Sequence, residues 1–276
     1  MKPAPFEYKR VTSIDQAVQE LVAGEGAAKI IAGGQSLGPM LNLRLARPSA
    51  LIDIAGIAEL KRIQDLGAKI FIGAGTTHAS IEDGILPAKA LGLLQAVARR
   101  IAYRAVRNRG TIGGSLAHAD PAADWILALT ALNATVMVRG PAGSRTTPVT
   151  SLLRAPFTTI LAEDEIIVGV ELDKLSPAAV WSHHKFSRKV GKFADAAAVA
   201  VLDHARGFCS VVLGSPDAPP AVMSSLADRL LSEPKRRLGF DTIFSAVEMA
   251  AVAADSFDRQ LQTTVLMRAI DKMVLT

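Results

Sequence analysis

The spacing of apolar and polar residues divides the chain into helical and extended segments. Ala17, Val18, Leu21 and Val22 recur at helical spacing. Ser13 with Gln16 three residues on forms a capping-box pattern ahead of them, and Gly24 and Gly26 supply a stop. "AKIIA" then reads as a short buried strand, "SLGPMLNLRLA" as a helical stretch ended by Pro48, and "ALIDIA" as another strand. Strand, helix, strand in this order predicts a small parallel sheet. From about residue 57 the texture changes. "LKRIQDL" and "AKIFIGAGTT" around Gly67 predict a hairpin, and "HASIED" a helical turn. "PAKALGLLQAVARRIA" predicts a helix with Pro87 in its first turn, Arg107 to Asp120 a loop, and "PAADWILALTALN" a helix opening on Pro121. "ATVMVRG" and "SRTTPV" read as strands about a turn, and "DEIIVGVEL" as a further strand.

After Leu175, "SPAA" marks a boundary. "VWSHHKFSRK", "AAAVAVLDHA" and "GFCSVVLGS" predict an antiparallel meander. "SPDAPP" breaks the chain, and three helical stretches follow: "SSLADRLLS", "FDTIFSAVEMAAVAA" and "FDRQLQTTVLMRAIDKMVL". The expectation is a first domain over residues 1–176, in two parts of about 1–56 and 57–176, and a separate α+β domain over 177–276.

Composition narrows the chemistry. Half of the 276 residues are hydrophobic and 21% are charged, the profile of a globular protein with a large core. The single cysteine, Cys209, excludes an internal disulfide, a Cys-ligated zinc site and an iron–sulfur cluster on this chain. His183 and His184 are adjacent, so on a strand they face opposite ways, and the histidines form no metal set. Metal chemistry associated with the protein is expected on another chain. The opening "MKPAPFEYKR" has no apolar signal region. No apolar run approaches the roughly eighteen residues of a membrane span, so a cytoplasmic protein is expected. The net charge of +5 suits anions. Its densest part, Arg99, Arg100, Arg104, Arg107 and Arg109, reads as a solvated helix face with its following loop. Only Tyr103 is interleaved there, which argues against a nucleic-acid platform.

Two glycine stretches carry candidate chemistry. Gly33, Gly34, Gln35 and Ser36 follow a buried strand; Thr111, Ile112, Gly113, Gly114 and Ser115 repeat the pattern. Glycine permits positive φ and lets another group touch the backbone, and a helix start beyond such a loop suits phosphate. The plain alternative is a tight turn in each case. Neither stretch is a dinucleotide GxGxxG fingerprint or a P-loop. Asp124, near a helix start, reads as a cap or as a ligand contact, and Lys185 by itself as a solvent-facing lysine.

"IIAGGQSLGPMLNLRLARPSALIDI" and "VRNRGTIGGSLAHADPAAD" resemble the two flavin-binding stretches of the FAD-binding medium subunit of molybdenum hydroxylases, the xanthine dehydrogenase family. The resemblance includes the separate-subunit carbon monoxide dehydrogenase type. "KFSRKVGKFADAAAVAV" resembles the opening of that family's C-terminal domain, so the resemblance covers essentially the whole chain. It implies an α+β chain: an N-terminal FAD-binding domain of two α/β subdomains of the vanillyl-alcohol-oxidase kind, then a three-stranded antiparallel sheet with a three-helix bundle. It implies that the FAD pyrophosphate approaches Gly33-Gly34 and Gly113-Gly114. The binding positions carried over are Ile30, Ile31, Ala32, Gly33, Gly34, Gln35, Ser36 and Leu37; Thr111, Ile112, Gly113, Gly114 and Ser115; and Asp124, with Ile101, Ile167 and Lys185 at the flavin end. No acid–base catalyst is implied. The role implied is electron transfer from a small subunit with two 2Fe–2S clusters to an external acceptor, beside a large molybdopterin subunit, in a heterotrimer doubled by a two-fold axis. The competing readings are an autonomous flavin oxidase or dehydrogenase of the vanillyl-alcohol-oxidase fold, for which some 100 residues after Leu175 are few, and a basic binding module. Gly38 after "QSL", Lys192 where relatives carry Asp in "GDFA", and the wording "IAYRAV" before "RNRG" depart from the family pattern.

Overall fold

The computed structural model describes residues 2–85, 91–234, 237–252 and 255–274. It opens with strand β1 (Glu7–Arg10), helix α1 (Ile14–Ala23) and strand β2 (Ala28–Ile31). Ser13 caps α1, its side chain accepting from the Gln16 N–H at 3.1 Å, and Ala17, Val18 and Leu21 form the helix's buried stripe. Helix α2 (Leu37–Asn42) leads to strand β3 (Ala50–Asp53). The three strands form a parallel sheet in the order β1–β3–β2. β1 has no apolar alternation and is largely exposed, which is why the sequence pattern passes over it. Gly33 and Gly34 leave this sheet at its carboxyl edge, where open parallel sheets bind ligands.

A second sheet carries strands β4 (Ile63–Leu66), β5 (Lys69–Gly73), β6 (Thr135–Gly140), β7 (Gly143–Pro148) and, beyond the small hairpin β8 (Leu153–Ala155) and β9 (Thr158–Thr159), β10 (Ile166–Asp173). Their order is β4–β5–β10–β6–β7, antiparallel throughout. Between β5 and β6 come helices α3 (His78–Glu82), α4 (Gly92–Ala98), α5 (Arg104–Arg107), α6 (Ile112–His118) and α7 (Asp124–Ala131). Pro87 falls outside the described residues. α4 stops at Ala98, short of the predicted end. The positive φ of Ala102, 42°, turns the chain there instead. The predicted loop from Arg107 to Asp120 is also corrected, since α6 occupies much of it. Thr111 nucleates that helix by accepting from the Gly114 N–H at 3.0 Å. Two glycines in a first turn masked the helical signal.

The C-terminal part holds strands β11 (Val180–Phe186), β12 (Ala196–Asp203), β13 (Phe208–Gly214) and β14 (Ala221–Val222), then helices α8 (Ser224–Ser232), α9 (Phe240–Ala250) and α10 (Ser256–Val274). The expected three strands are one short, because β14 pairs two residues onto β13. Every residue of β12 is buried. Ala196, Ala198, Ala200 and Leu202 face the C-terminal helices, while Ala197, Val199 and Val201 share a core with α7 and the first part of the chain. All eight residues of α7 are buried. Among the described residues no helix is long and apolar enough to cross a membrane.

Candidate functional site

The two glycine stretches lie against each other, and they differ. A Cβ on Gly33 would stand 2.0 Å from the Arg109 carbonyl oxygen, so Gly33 is glycine because the second stretch's backbone touches it. Gly113 would put a Cβ 2.4 Å from that of Ala74; it lets α6 pack on the end of β5. Contacts within the fold thus already require glycine at 33 and 113. Gly34 and Gly114 are different. Gly34 has φ of +71° and no neighbour nearer than 3.4 Å to a Cβ, and a Cβ on Gly114 would meet only Oγ1 of its own cap Thr111 closely.

The backbone donors divide in the same way. At the start of α6, Ile112 donates to the Thr76 carbonyl at 3.0 Å, Gly113 to Ala74 at 2.9 Å, Gly114 to the Thr111 hydroxyl and Ser115 to the Thr111 carbonyl. The backbone N–H groups of this first turn are therefore all used within the fold. At the first stretch, by contrast, the N–H groups of Gly33, Gly34, Gln35, Ser36 and Leu37 meet no acceptor among the described residues. Five consecutive unpaired donors at the end of a strand make an anion-binding concavity. The Arg109 guanidinium, whose Nε donates to the Gly33 carbonyl at 3.3 Å, places a cation beside it.

Of the sequence-derived positions, Ile30, Ile31, Ala32, Gly33, Gly34, Ser36 and Leu37 are partly exposed, Gln35 and Gly114 exposed, and Ile101 and Ser115 intermediate. Thr111, Ile112, Gly113, Asp124, Ile167 and Lys185 are buried. Lys185 is no solvent-facing lysine. Its Nζ donates to Asp124 Oδ2 at 2.7 Å, with both side chains nearly inaccessible. Asp124 is the first helical residue of α7, after the N-cap Ala123. Its carboxylate therefore belongs to a pair that joins α7 to β11. Burial pushes the Asp124 carboxyl above its ordinary value, and the Lys185 ammonium opposes that. Arg100 completes the group, donating to the Lys185 carbonyl at 3.0 Å and offering its own carbonyl to Lys185 Nζ at 3.5 Å.

The arginine cluster is a bracket as well as a charged surface. Arg107 pairs with Glu82 and also donates to the carbonyls of Ile101 and Ala102, at 2.9 and 3.1 Å. Arg104 binds Glu82 and Asp83. The reading of a solvated face fails for Arg107, because acids two helices away are invisible to local spacing. His78 braces the second stretch. Its N–H donates to the Gly110 carbonyl at 2.9 Å, and its Nδ1 accepts from Trp125 Nε1 at 2.9 Å. Burial, then the Arg107 charge, lowers its pKa to about 4, so the ring is neutral. Neither role is legible in the sequence: Arg100 shows only as one of the arginine cluster, and "GTTH" after β5 is the only local sign of His78.

Residues 4–174 match the family described as the FAD binding domain in molybdopterin dehydrogenase. The chain is 38% identical to the 6-hydroxypseudooxynicotine dehydrogenase complex subunit alpha of Paenarthrobacter nicotinovorans, over 92% of this chain and 84% of that one. It is 40% identical to the nicotine 6-hydroxylase medium subunit of the same organism, over 74% of this chain and 71% of that one. A chain in the solved structure of carbon monoxide dehydrogenase from Hydrogenophaga pseudoflava superposes with a TM-score of 0.88 at 30% identity, covering 99% of this chain and 98% of that one.

Proposed function

The chain belongs to the family of FAD-binding medium subunits of molybdopterin dehydrogenases, and on that premise we propose that it relays electrons through FAD within a multi-subunit molybdenum hydroxylase or dehydrogenase. It is an oxidoreductase subunit with an FAD-binding domain. The observation that carries the binding reading is the row of unpaired N–H groups from Gly33 to Leu37 beside the Arg109 cation. A pyrophosphate carries the charge and acceptors that such a row lacks.

On this reading Ile30 to Leu37, with Gly114 and Ser115, form the pyrophosphate side. Thr111, Ile112 and Gly113 act from behind by holding α6 against Thr76 and Ala74. Ile101, Ile167, Asp124 and Lys185 serve the flavin end, where the burial of the last three makes a wall of fixed shape and charge. When bound, FAD supplies the ability to accept and pass on electrons; the residues bind it, orient it and exclude water. The proposed partners are a large molybdopterin subunit and a small subunit with two 2Fe–2S clusters, in a heterotrimer doubled by a two-fold axis, in the cytoplasm.

The test has two parts. The purified chain shows a flavin absorbance spectrum, Gly34→Val loses it, and Gly38→Ala, where nothing lies within 4 Å of a Cβ, keeps it. In stopped flow, substrate bleaches the flavin of the assembled complex and not that of the isolated chain, which dithionite still reduces. Full flavin occupancy in Gly34→Val would overturn the site. Rapid substrate-driven bleaching of the isolated chain would make it an autonomous flavoenzyme.

A further inference from the structure

Both ring nitrogens of His183 are buried without a hydrogen-bond partner in the protein, and so is Oδ1 of Asp124. Nε2 of His183 lies 3.6 Å from that oxygen. Buried polar atoms are rarely left unpaired, and a donor and an acceptor left so side by side are an unfavourable arrangement with a simple remedy. The strand puts them together. On β11, His183 stands opposite Val199 and Lys185 opposite Ala197, so both project to the α7 side, while Ser182 bonds Ala269 of α10 on the other. The Asp124 carboxylate thus has an ammonium on one oxygen and an imidazole beside the other.

We propose that His183 is a positioning residue for the Asp124–Lys185 pair, donating its Nε2–H to Asp124 Oδ1 and so keeping the carboxylate in the ionised form that fixes Lys185. The ring closes to hydrogen-bonding distance by moving about half an ångström. The donor is a neutral ring. Burial, then the charges of Arg100 and Lys185, lower the His183 pKa to about 3, with His184 and Lys272 adding to this from its own strand and from α10. Asp124, on α7, is the acid that the ring faces among the described residues. Burial raises the pKa of Asp124, and a protonated Asp124 would no longer hold a lysine by charge. The second donor resists that proton, as hydrogen bonds to a charged form do. For the flavin, the consequence rests on the placement of Lys185 proposed above.

The test is made on the full chain without FAD. With 15N-histidine label, the ring signals that vanish in His183→Gln show an Nε2–H tautomer that does not titrate between about pH 5 and 8, outside which a free histidine changes little. With 13C-aspartate label, Asp124 is ionised at pH 6 in the wild type and in His183→Gln, whose amide nitrogen takes the place of Nε2, and protonated in His183→Leu. An Nδ1–H tautomer, ordinary titration, or an ionised Asp124 in a folded His183→Leu would each overturn the proposal. If His183→Leu does not fold, the tautomer and the His183→Gln spectrum decide it. FAD binding is the separate arm. Weakening of at least ten-fold in His183→Leu and not in His183→Gln extends the role to the flavin. Equal affinities with the expected spectra reject only the placement of Lys185 at the flavin end.

Discussion

The carbonyl oxygen of Arg109 stands 2.0 Å from where a Cβ on Gly33 would lie. The first glycine stretch therefore fits the second backbone to backbone, and the pair forms one surface. Gly33→Ala must push this junction apart. A loss of about 1–3 kcal/mol is expected, the usual cost of overpacking, seen as a lower denaturant midpoint of the apo-protein. Gly38→Ala, within α2 and open around its Cβ, should instead gain up to about 1 kcal/mol from helix propensity. Equal effects at the two sites would mean that the contact yields freely.

The Asp124–Lys185 pair predicts a double-mutant result. Asp124→Leu alone strands a buried ammonium and should cost about 3–5 kcal/mol. Adding Lys185→Met removes the stranded charge and should restore most of it. A simple helix-end role for Asp124 predicts about 1 kcal/mol or less and no rescue. Urea unfolding of the four proteins separates the outcomes.

Acid should unfold the protein through its buried histidines. His78 and His183 have folded pKa values of about 4 and about 3, below the unfolded value near 6.5. The unfolded chain thus binds more protons in between. Stability is full above about pH 6.5, and each ring removes about 1.4 kcal/mol per pH unit as pH falls towards its folded value. Melting temperatures from pH 7.5 to 5 should fall accordingly, and less steeply in His78→Gln. A flat profile would show that the rings reach water.

Arg107 holds the carbonyls of Ile101 and Ala102 while Ala102 sits at φ 42°. Arg107→Lys keeps the charge and loses the forked geometry. We expect it to cost about 1.5–3 kcal/mol, from hydrogen bonds to a charged group. Ala102→Gly in the same background should recover part of this, because glycine adopts that φ without strain. Calorimetric melting of the single and double variants checks both.

How far the sequence reaches can be seen at particular residues. Ser13 capped its helix as its pattern predicts, and the apolar runs in "AKIFIG" and "DEIIVGVEL" became β5 and β10. β1 was hidden because its partners, not its own residues, make it a strand. α6 was hidden by Gly113, whose reason lies thirty-nine positions away at Ala74. At the site, the family motifs located both stretches. That one keeps its N–H groups free while the other uses them on Thr76, Ala74 and Thr111 depends on contacts between strands and helices far apart in sequence. The Lys185–Asp124 and Arg107–Glu82 partnerships were unreadable for the same reason, since charge pairing across a fold leaves no period in the chain.

A strand such as β12, buried along its whole length with one face in each half of the molecule, makes the chain hard to divide. Cutting after residue 176 would not release a portable flavin module. It would leave the Asp124 and Leu127 side of α7, which meets Lys185 and Gly214, without its cover and give a fragment prone to clump. The C-terminal segment could not be exchanged for an unrelated one without redrawing α7, whose eight residues are all buried.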